Sequence, residues 1–256
     1  MKTLTILLML APIGALAASP FDGTWMMRPG SFHGSDKPYV FVVDQNEFRC
    51  ENCGAPLSVK PDGQFHEVTG HGYDSIAAKL VDSRTLELTR RKDGKVLGIE
   101  TFTASPDGAQ LRVRVVEKSG EKPVTSHFVL KRSSDSRPEE GKHAVSGSWL
   151  ITSFRETGGQ PTTLKMTDDG FSWSQNGQHY EAKFDGNPVA IEGDPTHPMA
   201  SVKKLSEGKV QETDTLNGKP IDETIFAVSP DGKSITVMDT DPQSGHTDSF
   251  VLDRRT

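Results

Sequence analysis

Ser105-Pro106-Asp107-Gly108 is a turn sequence that the chain uses twice: Ser229-Pro230-Asp231-Gly232 repeats it 124 positions later (229 − 105 = 124). The same offset carries Gly23 and Trp25 onto Gly147 and Trp149, Asp93-Gly94-Lys95 onto Asn217-Gly218-Lys219, and Phe102 onto Phe226. Small slips of register link further matches. Phe48 falls on Phe171 (171 − 48 = 123), and the closing Phe128-Val129-Leu130 falls on Phe250-Val251-Leu252 (250 − 128 = 122). Self-similarity at one spacing is the mark of a duplicated unit. The copies span 18–132 and 147–256, joined by a polar, aperiodic linker over 133–146.

Within a copy the apolar residues recur at period two between turn signals. Leu111, Val113 and Val115 share one face of a segment whose other face carries Arg112 and Arg114, the alternation of a half-buried strand. Asp93-Gly94 and Asn217-Gly218 supply the positive φ angles of type I′ hairpin turns. Residues 57–60 and 65–68 read as a pair closed by Pro61-Asp62-Gly63, and 75–81 with 85–91 as the next. Few segments suit a helix. The expected fold is all-β: two tandem antiparallel up-and-down barrels of about eight strands each, closure being the economical way to remove exposed edges.

Residues 1–17 read as a signal peptide. Lys2 precedes the apolar run from Leu4 to Leu10, and Ala15-Leu16-Ala17 is a small-x-small cleavage site. The run is too short to span a bilayer, so the mature chain is expected to be secreted or periplasmic, without membrane insertion. Loss of Lys2 changes the net charge from −6 to −7, 28 basic against 35 acidic residues. That balance excludes a nucleic-acid partner, which demands basic patches.

Each copy opens with Gly-x-Trp and closes with an Arg on its last strand. This resembles the lipocalin and calycin family, in which the Trp closes one end of an eight-stranded barrel and the Arg packs over it. The resemblance implies that Trp25 pairs with Arg132 and Trp149 with Arg254, as barrel-closing or ligand-lining residues. The Phe21-to-Trp25, Cys50-to-Cys53 and Gly70-His71 segments are also similar to those of a group of secreted bacterial proteins, a similarity that implies no particular activity.

Candidate chemistry is sparse. Cys50-Glu51-Asn52-Cys53 in an exported chain reads first as a disulfide. A zinc site would need two more ligands, for which His66 and His71 are available. Redox chemistry would need the first Cys at a helix N-terminus, and haem attachment a His in place of Gly54. The second copy has Trp173 and Asn176 at the aligned positions. Glu212 and Asp214 share one face of the strand over 210–215, where the first copy has Leu88 and Arg90. They form either an inward pair able to hold a cation or basic ligand, or a wet face. No catalytic constellation, metal motif, phosphate loop or cofactor signature assembles. The function expected is therefore an exported lipocalin-like binding protein for a small apolar or amphipathic ligand. The alternative is an envelope structural or protein-interaction module; an enzyme is a third and weaker reading.

Overall fold

The computed structural model describes residues 19–133 and 142–255. The expected signal peptide and the linker run 134–141 lie outside the described residues. The described chain is all-β. Ten strands come from the first half: β1 (Gly23–Met27), β2 (Tyr39–Val43), β3 (Phe48–Cys50), β4 (Leu57–Val59), β5 (Asp62–Glu67), β6 (Ser75–Leu80), β7 (Thr85–Lys92), β8 (Lys95–Ala104), β9 (Gln110–Glu117) and β10 (Val124–Arg132). Ten come from the second: β11 (Gly147–Thr157), β12 (Thr162–Met166), β13 (Gly170–Gln175), β14 (Gln178–Lys183), β15 (Val189–Ala190), β16 (Met199–Ser206), β17 (Lys209–Leu216), β18 (Lys219–Val228), β19 (Ser234–Thr240) and β20 (Thr247–Arg254). No helix among the described residues is long and apolar enough to cross a membrane.

The strands form two antiparallel ten-stranded sheets, each nearly closed into a barrel. One runs β4-β3-β2-β11-β10-β9-β8-β7-β6-β5 and the other β14-β13-β12-β1-β20-β19-β18-β17-β16-β15. Adding ten to each label, and taking ten from β11, turns the first order into the second, so the duplication is visible in the topology. Each sheet has ten strands where about eight are expected, and very short segments, β3 and β4 of three residues and β15 of two, pair as strands.

The two orders contain an exchange that sequence reading did not anticipate. β1 opens the first copy but lies between β12 and β20 of the second. β11 opens the second copy but lies between β2 and β10 of the first. Each barrel thus takes its opening strand from the other half. The reason is connectivity. β11 is the strand that follows β10 in the chain, and the two pair as sequence neighbours usually do. That fills the place beside β10 which β1 would otherwise take, and β1 closes the other sheet through the equivalent edge of β20. It is a domain swap within one chain.

The exchange corrects the expected Trp–Arg pairing. Arg132 stands opposite Trp149 in the β10–β11 ladder, and Arg254 opposite Trp25 in the β1–β20 ladder. The guanidinium carbons lie 4.0 Å and 4.1 Å from the respective ring centroids. Both indoles are fully buried and donate through Nε1 to a carbonyl four residues back, Trp25 to Phe21 and Trp149 to Val145, both at 2.9 Å. Packing follows the ladders. Trp149 sits in the core of Phe41, Phe48 and Phe102, and Trp25 in that of Phe171 and Phe226.

Each Arg also clamps the repeated turn. Arg132 Nε donates to Gly108 O at 2.7 Å, and Arg254 Nε to Gly232 O at 2.9 Å. Within each turn the Ser hydroxyl donates to the Asp carboxylate and accepts from the backbone five residues on. Gly108 and Gly232 occupy the left-handed region, at φ 69° and 68°. The type I′ turns form as expected, with φ of 48° and 79° at Asp93-Gly94 and 53° and 75° at Asn217-Gly218.

One expected hairpin does not form. β4 pairs with β3 and β5 with β6, so 57–60 and 65–68 are the two free edges of the first sheet. Pro61 has no N–H to give a ladder and stands where the sheet opens. The corresponding gap in the second sheet is bridged between His179 and Glu192, whose backbones exchange hydrogen bonds of 3.0 Å and 2.9 Å.

Candidate functional site

Each barrel holds a cavity, and neither the tryptophans nor the arginines of the two stacked pairs line it.

The first cavity measures about 420 Å³. Its wall is built from inward positions of successive strands: Phe41 on β2, Phe48 on β3, Ile76 on β6, Leu88 on β7, Phe102 on β8 and Val113 on β9. Period two puts all of these on one face, and hydrophobic burial holds that face inward. Charged groups interrupt the wall at Arg90, Glu100 and Asp248. Arg90 Nη2 donates to Glu117 Oε2 at 2.7 Å, and its Nε stands 2.9 Å from Glu100 Oε1. The second contact is ionic only, because Nε closes no hydrogen bond of good geometry. Gly98 makes room for this guanidinium, since a Cβ there would lie 2.5 Å from Arg90 Nη2. Tyr73 and His71 stack, with centroids 4.9 Å apart. Burial raises the Tyr73 phenol pKa and lowers that of the His71 imidazole, and His71 Nε2 has no hydrogen-bond partner.

The Cys50–Cys53 pair lines the same cavity as a disulfide, with Cα atoms 5.7 Å apart. Asn52 fixes the turn between them. It accepts from Val40 N at 2.9 Å and donates to Pro38 O at 2.6 Å, and Gly54 follows at φ 72°. With the sulfurs bonded to each other, no thiolate is left to ligate zinc. His66 pairs instead with Asp62 at 2.9 Å. Among the described residues no group of three His, Cys, Asp or Glu side chains is arranged to hold a metal ion.

The second cavity measures about 520 Å³ and differs in chemistry. Glu212 and Asp214 face it from β17, as their shared strand face allows. Asp222 joins them from β18, directly opposite Asp214 in the ladder, and Asp239 from β19, opposite Thr224. Asp194 and Glu156 complete the acidic lining. Glu212 is only 7% exposed. The wet-face reading of this strand does not hold; it faces an interior.

Desolvation sets the titration of this group. Burial, then the field of Asp214, pushes the Glu212 carboxyl well above the usual range. Burial lifts Asp214 to about 6, with Asp239 and Asp194 adding to the rise. Burial and then Asp239 raise Asp222 to about 10. Tyr180 on β14, 2% exposed, lies against Glu212 and Asp214 without closing a well-formed hydrogen bond. Trp173, which replaces Cys50, stacks on Tyr180 with centroids 6.0 Å apart and lines the cavity.

Sequence reading found Glu212 and Asp214 but missed Asp222, Asp239 and Tyr180. The signal was present as phase. Asp222 is in step with Phe226, and Asp239 with Ile235 and Val237, all inward residues.

The two barrels meet around the exchanged strands. Phe32 and Phe154 line the second cavity and Phe128 the first. Their rings pack together, with Phe154 5.0 Å from both others. Asn176, aligned with Cys53, crosses to the other barrel and exchanges hydrogen bonds of 3.1 Å and 2.9 Å with the Lys122 backbone. No protein-family model matches the chain, and no curated protein or solved structure does.

Proposed function

We propose that the protein is an exported, lipocalin-like binding protein whose first barrel takes a small amphipathic molecule with a neutral polar end. The observation that carries this reading is the aromatic-lined cavity of about 420 Å³, a size at which pockets hold drug-like ligands. Its wall offers apolar burial worth about 25 cal/mol per Å². Arg90 is already engaged by two carboxylates, so it leaves no unbalanced positive charge to select an anion. The unpartnered His71 Nε2 offers one polar contact inside the apolar wall. The repeated Trp-under-Arg closure supports the comparison with the lipocalin pattern.

The test is a fluorescence titration with N-phenyl-1-naphthylamine, a neutral amphipathic probe, on the wild type and on Val113→Trp. The bulky ring projects into the first cavity and leaves the second unchanged. Wild type should bind, and the variant should bind about tenfold more weakly or worse, a loss of about 1.4 kcal/mol, with its β-sheet circular dichroism retained. A wild type that ignores the probe, or a variant that binds it equally, would refute the proposal.

A further inference from the structure

We infer that the second barrel binds an organic ammonium ion, held by Glu212, Asp214, Asp222 and Asp239 against the aromatic wall formed by Trp173 and Phe226. The inference rests on reading the barrels as ligand-binding shells and names a different ligand for a different cavity.

Charge balance is the first support. Six acidic side chains line this cavity, and no Lys, Arg or His does among the described residues. Ordinary folding does not leave such a set together, because buried carboxylates without partners are costly. Asp214 and Asp222 stand directly opposite one another in the ladder.

The duplication provides a control within the same chain. At the positions aligned by the 124-residue offset, the first barrel has Leu88 for Glu212, Arg90 for Asp214, Gly98 for Asp222 and Val115 for Asp239. One copy carries its own cation, Arg90, paired to two acids. The other has Asp214 in place of that cation and acids on three adjacent strands, with no basic side chain lining its cavity among the described residues.

Unfilled hydrogen-bonding capacity is a second, independent support. Tyr180 Oη and Asp214 Oδ1 are both buried and have no hydrogen-bond partner, and Tyr180 is 2% exposed. Both belong to the acidic group, with Tyr180 placed against Glu212 and Asp214. An ammonium N–H donor satisfies Asp214 Oδ1, and the Tyr180 hydroxyl is then free to donate to a carboxylate.

Shape selects an organic cation over a metal ion. The cavity of about 520 Å³ is far larger than a bare ion needs, and no three acids converge as metal ligands among the described residues. Aromatic faces attract ammonium groups by the ring quadrupole, and Trp173, Phe226 and Phe250 supply apolar lining beside the carboxylates.

The titratable groups lining the cavity are Glu212 and Asp214 from β17, Asp222 from β18, Asp239 from β19, Asp194 from the loop after β15, and Glu156 from β11, with Tyr180 from β14 placed against Glu212 and Asp214. Because burial and Asp239 lift the Asp222 carboxyl to about 10, and burial pushes Glu212 in the same direction, a cation must displace a proton to bind. Affinity should therefore rise with pH, by up to about tenfold per unit for each proton released.

The experiment is isothermal titration calorimetry at pH 6 and pH 8 with 2-phenylethylammonium, the uncharged 2-phenylethanol and the anion phenylacetate, on the wild type and on Asp214→Asn/Asp222→Asn. The ammonium should bind at least about tenfold more tightly than the alcohol, a difference of about 1.4 kcal/mol, and more tightly at pH 8 than at pH 6. Phenylacetate should not bind. The double variant should lose the preference for ammonium while retaining its fold and its N-phenyl-1-naphthylamine binding in the first cavity. That retained binding separates failure here from failure of the proposed function. Alcohol binding equal to ammonium binding, an undiminished preference in the double variant, or no ammonium binding by the wild type overturns the inference.

Discussion

The Arg254 guanidinium lies 4.1 Å above the indole of Trp25, although the two residues stand near opposite ends of the described chain. The same Arg donates to the carbonyls of Gly232, Asp22 and Pro20. It thus ties the start of the first copy, the last strand and the second Ser-Pro-Asp-Gly turn into one knot. Arg132, Trp149 and the first such turn make the equivalent knot in the other barrel.

Because each barrel contains a strand from the other half, cutting the linker should not separate the halves. Cleavage within residues 134–141 should give two fragments that co-elute at the mass of the intact protein and part only in denaturant. Trp25→Ala should lower stability by about 3–5 kcal/mol, as expected for deleting a buried Trp, and the loss should be felt in the second barrel, where Trp25 packs. Fragments that run apart in native buffer would show that each half closes on its own first strand.

Cys50 and Cys53 close a very short loop. The chain-entropy relation for so few residues gives about 2 kcal/mol, so Cys50→Ala/Cys53→Ala should lower the unfolding free energy by about that amount. Titration of the unreduced wild type should find no free thiol, and two after reduction in denaturant. Two reactive thiols before reduction would contradict the bond.

The acidic cavity makes stability depend on pH with a definite sign. Asp222 titrates at about 10 in the folded protein and at about 4 when unfolded. Between those values the folded state holds a proton that the unfolded state has released, so stability falls as pH rises through that window. One such group contributes a slope of up to about 1.4 kcal/mol per unit. Asp222→Asn should flatten the decline and raise the melting temperature above pH 7. A wild-type melting temperature that is level or climbing from pH 5 to pH 9, with no change in the variant, would be the contrary result.

Gly98 serves Arg90 rather than the backbone. Gly98→Ala puts a methyl 2.5 Å from Arg90 Nη2 and 3.3 Å from Glu117 Oε2, displacing the guanidinium from its two acids. Stability should drop by about 1–3 kcal/mol, the cost of a charged hydrogen bond lost from a partly buried site. The fall should appear in the denaturant midpoint with an unchanged slope. An unaltered midpoint would mean that Arg90 finds its partners elsewhere.

The turns and strand faces were legible in the sequence because they are local. Asp93-Gly94 and Asn217-Gly218 specify their hairpins by the positive φ that both positions adopt. The alternation over Leu111, Val113 and Val115 specifies an inward face because side chains on a strand alternate. The 57–60 and 65–68 segments read as a hairpin by the same local logic. They part because closure of the whole sheet, not the turn between them, sets where each edge falls.

The sequence by itself determined that the chain is a duplicated, all-β protein with its tryptophans and arginines at matched places. Only the tertiary structure decided which Trp meets which Arg, because Gly23–Trp25 and Gly147–Trp149 offer the same chemistry to either last strand and chain connection alone breaks the tie. It likewise decided that Glu212, Asp214, Asp222 and Asp239 share one interior. Period-two patterning states which residues lie on a common face of one strand, whereas the register between strands and the closure of the sheet bring faces from different strands together.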